Sequence, residues 1–491
     1  MYKKVLIIGS GPAGAIAAKY LLENTNYRVS IFDVGHTSIN DTDLPDDGII
    51  PIKNHRGNNY MYKRKDSFDF IFDKLTSFHT SHALGGFSNV WGANISAIHS
   101  LYLSKWNLDK SEFNDALDYV INSIPISADD DMIDMQYDLK IKSKHVLQGK
   151  FINSFISNIY KQKKTLQKQN IYIGKSKLAI QNSGSDKCVL CNECMEGCEY
   201  GSIYNSSGQV QALKLNPKFT YYKNHMVVKF KETKNNVEVY YADGANNLKK
   251  AKFDILLIAA GSFDSTLIVN NSIKNKKFTL KESKKFYFPV FTFKPQSDLK
   301  TISLSHLFIQ DINKNCSIHA QLYPLKPIVD FTLKKIFGAY TKLITSPFNF
   351  IFRHFYFCMA YLDSEGSGQM QIHKKGNKIY ITGAENDKSV LHLNNFIYKL
   401  KTLKSVTNLI PIKLIFPSKL GHSQHFGSSL PMQEKAKQNS TDMLGRPYKM
   451  KNVHVIDTSI LPTIPATPTT IIVMANAVRI CRCIINQTLK I

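Results

Sequence analysis

Residues 5–14 read Val-Leu-Ile-Ile-Gly-Ser-Gly-Pro-Ala-Gly, and nineteen residues after Gly14 stands Asp33. Four consecutive apolar residues, Val5 to Ile8, suit a strand of a parallel sheet covered on both faces. The strand runs into a GxGxxG. Gly9 permits the tight turn, Gly11 lets the backbone approach a pyrophosphate, and Gly14 lets a helix sit close to the strand. The spacing predicts that helix from about Pro12 to Glu23, with Pro12, Ala13 and the first N–H groups facing the phosphates. A second strand, Arg28–Phe32, delivers Asp33 to where a carboxylate accepts hydrogen bonds from ribose hydroxyls. The acid would repel the extra phosphate of NADP. FAD and NAD both remain compatible with this end of the chain.

The far end narrows the choice. Residues 253–262, Phe-Asp-Ile-Leu-Leu-Ile-Ala-Ala-Gly-Ser, form another apolar strand ending in small residues. Val453–Ser459 gives a strand that meets an acid, Asp457, and a helical run from Thr469 to Ile484 follows. A dinucleotide fold drawn from both chain ends, with hundreds of residues between, is typical of flavoproteins.

Four segments together resemble the glucose–methanol–choline (GMC) oxidoreductases: the unit at 5–33, the glycine-rich Leu84-Gly85-Gly86-Phe87-Ser88-Asn89-Val90-Trp91-Gly92, the strand end Ala259-Ala260-Gly261, and the run from His425 to Arg479. The resemblance implies an α/β fold: a Rossmann-type FAD-binding domain built from both chain ends, with an α+β substrate domain carrying a mostly antiparallel sheet. Boundaries are expected at 1–100, 171–275 and 417–491 for the FAD-binding parts, with 101–170 and 276–416 as the substrate region. It also implies FAD contacts at Gly9, Gly11, Pro12, Ala13, Gly14, Asp33, Gly85, Gly86, Ser88, Trp91, Val227, Ala260, Gly261, Asp457, Pro468 and Thr469. Some relatives attach flavin through a histidine beside the tryptophan. Val90 stands there instead, so FAD is expected to be non-covalent.

The family places a histidine before Gly-Thr at +3 and +4 and Met at +7; here His425 precedes Ser428, Ser429 and Met432. The neighbouring Gly427 is expected to preserve the turn. The second catalytic position, usually Asn or His, is Thr467, which can hydrogen-bond a hydroxyl but is a poor base. The implied reaction is oxidation of an alcohol to a carbonyl, with His425 taking the hydroxyl proton because neutral imidazole titrates near cellular pH. A sugar or a lipid-linked glycan fits as the alcohol.

Cys188-x2-Cys191-x2-Cys194-x3-Cys198 has ferredoxin-like spacing, although Glu199 replaces the usual proline and no second run exists. Iron–sulfur is the preferred reading and would direct electrons to an acceptor other than oxygen. Zinc, which usually separates two cysteine pairs by a longer loop, and free thiols are the rivals.

The 491 residues carry 43% hydrophobic and 21% charged side chains, an ordinary globular balance, with a net charge of +25. Such a field favours anionic partners. No basic block of the kind that marks a nucleic-acid arm occurs, so nucleic acid is not expected as a partner. Two other functions stay open: a flavin and iron–sulfur electron carrier without its own alcohol substrate, and an anion- or nucleic-acid-binding module. The lead Met-Tyr-Lys-Lys before the first strand predicts a cytoplasmic protein. Between Asn270 and Pro417, strands are expected at Phe286–Phe293, Ser303–Ile309, Cys316–Tyr323, Arg353–Leu362, Gln369–His373 and Lys378–Ile381. One helix is expected over 328–345, ended by Pro347, apolar on one half and lysine-bearing (Lys334, Lys335, Lys342) on the other. It either packs on the substrate sheet or lies on an anionic membrane.

Overall fold

The computed structural model describes residues 2–37, 58–66, 68–139, 141, 143–147, 149–296 and 301–489. Strand Lys4–Ile8 lies at the centre of a five-stranded, all-parallel sheet, with Val5 opposite both Val29 and Ile255. Across the sheet the order is Val453–Val455, Ile255–Ile258, Lys4–Ile8, Arg28–Phe32, Phe219–Tyr222. Strands from the two chain ends therefore flank Ile255–Ile258 on either side. Val5, Leu6, Ile7 and Ile8 are buried, as a central strand requires, and each contributes about 1.5–3 kcal/mol in burial.

Helix Pro12–Asn24 starts on a proline, whose missing N–H costs nothing at a first turn. Its alanine-rich buried face lets the C-terminal helix Thr470–Leu489 approach closely, and helix Lys110–Ile121 packs on that second helix. Asn24 and Thr25 end the first helix by bonding back to the carbonyls of Tyr20 and Leu21.

The strand-rich middle builds two sheets, where one was expected. The larger is antiparallel, in the order Leu409–Pro411, Lys285–Thr292, Phe355–Leu362, Ile318–Pro324, Leu307–Asp311, Tyr172–Lys175, with Phe416–Pro417 also paired to Lys285–Thr292. The other takes Phe426–Gly427, Lys277–Glu282, Gln369–Lys375, Lys378–Ala384 and the parallel edge strand Asp69–Phe72. The strand expected from Ser303 begins only at Leu307. His306 folds back to bond Thr301 and Ile302, which turns 301–306 into a loop.

The helix expected over 328–345 is broken. It runs Leu325–Phe337, turns through Gly338–Tyr340, and resumes at Thr341–Thr345. Gly338, at φ 52°, stops the first piece. Pro347 opens the next turn, Ser346–Phe348, and does not end the helical run, which reaches Phe352. No helix among the described residues is long and apolar enough to cross a membrane.

One hydrophobic core surrounds the parallel sheet and a second fills the antiparallel sheet; Trp91 and Tyr172 pack on both. A large cavity opens at this junction.

Candidate active site

The cavity has a volume of about 1350 Å³. At one end the GxGxxG turn meets the end of strand Ile255–Ile258. A Cβ on Gly14 would stand 2.1 Å from the Gly9 carbonyl oxygen, and one on Gly9 2.4 Å from the Ala259 oxygen, whereas one on Gly11 would meet nothing within 4 Å. Gly9 and Gly14 thus close the backbone packing, and Gly11 leaves the space a pyrophosphate needs.

Asp33 closes this end. It accepts hydrogen bonds from the Ser10 and Tyr221 hydroxyls, and burial pushes its carboxyl up to about 6. The Ser10 hydroxyl in turn accepts from the Gly85 N–H at 2.9 Å, which ties the glycine-rich segment to the phosphate turn. Gly85 and Gly14 are packing residues, while Gly86, Ser88, Val90 and Trp91 face the cavity. Val227 lies on the wall at a bulge between Val227 and Lys229. Pro12, Ala13, Ala260, Gly261, Pro468 and Thr469 also line it. Asp457 borders the cavity with a carboxylate already engaged by the protein. It accepts from the N–H groups of Gly261 and Ser459 and from the Ser265 and Ser459 hydroxyls, welding two strand ends together.

His425 stands on the opposite wall. Its loop is held from below by Glu282, fully buried, which accepts from the N–H groups of Gly421 and Ser423. The Ser423 hydroxyl receives the His425 N–H, and the His425 carbonyl accepts from Ser283. The imidazole stacks on Tyr361, ring centroids 4.9 Å apart. Its Nδ1 is buried without a hydrogen-bond partner among the described residues. The ring's open surface faces the cavity. Enclosure pushes its pKa down to about 4, and the Lys285 charge pushes the same way. The side chain is therefore neutral, with one nitrogen lone pair available to a proton.

Gly427 does not make the turn after His425. Gly427 is a strand residue, and Ser428 itself adopts the left-handed φ of 57°. Thr467 is buried and does not line the cavity, whereas its neighbours Pro468 and Thr469 do. The wall instead holds His422, three residues before His425, and Lys285, which donates to the His422 carbonyl at 3.0 Å. Asn94, Gln321 and Tyr323 add a polar network, with Asn94 Nδ2 2.8 Å from both Gln321 Oε1 and Tyr323 Oη. The His422–His425 spacing was available to sequence reasoning. The other groups come from distant parts of the chain and carried no local signal.

Asp66, His82 and Asp264 present ligand atoms within 4.8 Å of one another beside the cavity. Arg64 already occupies the centre of that group. Its guanidinium bonds both carboxylates, 2.8 Å to Asp264 Oδ1 and 3.0 Å to Asp66 Oδ1, and holds the Asp264 carboxyl far below the usual range against its own burial. A cation has no place there.

Left-handed residues Leu190 and Asn192 coil the loop that carries Cys188, Cys191, Cys194 and Cys198. No three of these thiols lie within 4.8 Å of one another. A tetrahedral zinc site, with ~2.3 Å bonds, would draw its sulfurs closer together than this. Ligands on separate irons of a cluster stand further apart. Burial and the neighbouring thiols push Cys188 up to about 11. Met195, inside the run, reaches the cavity wall.

A parallel sheet bearing the GxGxxG turn, an antiparallel sheet and a cavity between them with a neutral histidine on its wall make up the scaffold. Residues 412–477 match the family model described as GMC oxidoreductase. The crystal structure of pyridoxine 4-oxidase from Mesorbium loti is similar over 99% of both chains, with a TM-score of 0.61 and 13% identity, which establishes a shared fold. Comparison with curated proteins returned no sequence match. The segment 412–477 thus matches the GMC oxidoreductases, a family whose cofactor is FAD. The open space over Gly11 and the carboxylate of Asp33 fit it.

Proposed function

We propose that the protein oxidises an alcohol to a carbonyl, with His425 as the catalytic base. The observation that carries this reading is a neutral imidazole on the wall of the cavity whose other end is built for a dinucleotide. FAD, when bound, would supply a two-electron acceptor for the carbon-bound hydrogen. The chain supplies the remainder. His425 removes the hydroxyl proton, Tyr361 and Ser423 hold its ring and backbone, and Asn94, Gln321 and Tyr323 offer hydrogen bonds that orient a polyhydroxylated substrate. A sugar or a lipid-linked glycan suits that wall. An electron carrier with no substrate of its own would have no use for it.

His425→Ala should keep FAD and slow flavin reduction by ~10²–10⁴-fold, the contribution of a general base. Anaerobic stopped-flow reduction by a panel of sugars and simple alcohols measures this; near wild-type reduction in the variant removes His425 from the mechanism.

We further propose that Cys188, Cys191, Cys194 and Cys198 hold an iron–sulfur cluster, a soft-ligand set that would supply one-electron transfer to an acceptor other than oxygen. Protein purified without oxygen should contain iron and acid-labile sulfide in similar amounts. Iron-free, sulfide-free protein reoxidised directly by oxygen would reject this.

A further inference from the structure

The helix expected over 328–345, which is part of the broken run 325–352, was to pack its apolar half on the substrate sheet or lie on an anionic membrane. Ile328 and Phe331 at the start of the run do pack inward. Beyond Phe331 the pattern reverses. Ile336 and Tyr340 are each 72% exposed, Leu343 73% and Phe350 69%, and Phe348 and Ile351 are also open to solvent. The cause lies in the polar anchors. Thr341 and Thr345 are buried; Thr341 donates to the Gly338 carbonyl and Thr345 to the Asp330 carboxylate at 2.7 Å, while Lys326 pairs with the same carboxylate. With its threonines turned inward, the second helical piece must present Leu343 and Ile344 outward. Gly338 lets the two pieces meet at an angle, so their apolar residues form one surface.

The charge along this segment of chain is one-sided. No acidic residue occurs from Phe331 to Leu362, whereas Lys334, Lys335, Lys342 and Arg353 do; the side chain of Lys335 lies outside the described residues. Lys342 is 82% exposed, 4.0 Å from Glu193, and Lys334 pairs with Glu196; exposed pairs of this kind are weak. A second copy of the chain is a poor occupant, because it would bring another +25 and the same cations to the contact. Aromatic and aliphatic side chains rimmed by lysines match the interface of an anionic bilayer, where rings lie at the headgroup level and lysine stems reach the phosphates.

We propose that residues 333–351 form a docking surface for anionic lipid bilayers. The same helix touches the Cys194–Glu196 turn, whose Met195 lines the cavity, so docking would set the cavity wall beside the lipid surface. The proposal stands whether or not the alcohol reading holds.

The test is co-sedimentation of the FAD-loaded protein with phosphatidylglycerol–phosphatidylcholine vesicles and with pure phosphatidylcholine vesicles, at low and physiological salt. Anionic vesicles should bind it at least tenfold more tightly than neutral ones. The double variant Ile336→Asp/Leu343→Asp should lose at least tenfold in vesicle affinity with unchanged FAD content. Lys342→Glu should lose about fivefold or more, the worth of one lysine near an anionic surface. Wild-type protein that ignores anionic vesicles at low salt, or a double variant that binds them as well as wild type, overturns the proposal. So does a wild-type dimer that the double variant converts to monomer without any vesicle binding, since the surface would then belong to a second copy.

Discussion

His425 combines enclosure with a neighbouring cation, and both hold its pKa near 4, below the ordinary 6.5. The consequence for rate has a definite sign. The neutral, proton-accepting form is fully populated above about pH 5, so flavin reduction should be flat between pH 8 and pH 6, with its acid limb near 4. Lys285→Met removes the like charge and should move that limb upward; an unmoved limb would show that Lys285 does not act on His425. For stability, the unfolded chain takes up a proton near 6.5 that the folded chain refuses until about 4. The folded state is therefore favoured above 6.5 and loses that advantage as pH falls through this window. His425→Ala should show a smaller drop in thermal midpoint between pH 6.5 and 4 than wild type.

The loop from Gly421 to Met432 is the element that delivers this side chain, and it stores backbone strain on both sides of it. Gln424 and Ser428 each adopt a φ of 57°, a region that costs a non-glycine residue about 1–2 kcal/mol. Ser428 offsets part of this through its hydroxyl, which donates to the Pro462 carbonyl at 2.8 Å. Two substitutions separate the terms. Ser428→Ala keeps the strain and loses the bond, and should lower stability by about 0.5–1.5 kcal/mol. Ser428→Gly loses the same bond but relieves the strain, and should be the more stable of the two in urea denaturation. The reverse order would mean that the left-handed turn is not under strain. The left-handed turn is thus made at Ser428 without the residue best suited to it.

For the whole molecule, the cofactor-binding half exists only when strands from residues 4–32, 219–222, 255–258 and 453–455 come together. The nucleotide end of the cavity is held by backbone turns and by Asp33, and the wall residue beside Trp91 is Val90, whose side chain cannot bond flavin covalently. FAD should therefore leave the protein completely. Hot trichloroacetic acid should release all the yellow colour to the supernatant, and flavin that remains with the pellet would show a covalent link. Protein that stays free of FAD even after reconstitution would count against the cofactor itself.

What the sequence by itself determined is local in origin. The apolar run Val5–Ile8, the three glycines, the distance to Asp33 and the histidine of the C-terminal segment are legible because strand burial, turn sterics and helix approach act over a few residues. The period of 3.6 over 328–345 was equally legible, but an amphipathic pattern is the same whether its apolar face is covered or open. Only the neighbours could decide, and Thr341, Thr345 and Asp330 turned the apolar face outward. The break at Gly338 and the left-handed Ser428 were likewise set by tertiary contacts. The far wall of the cavity belongs wholly to tertiary structure. Asn94, Lys285, Gln321 and Tyr361 lie up to hundreds of residues apart, and nothing in local spacing announces that strand pairing will bring them to one surface.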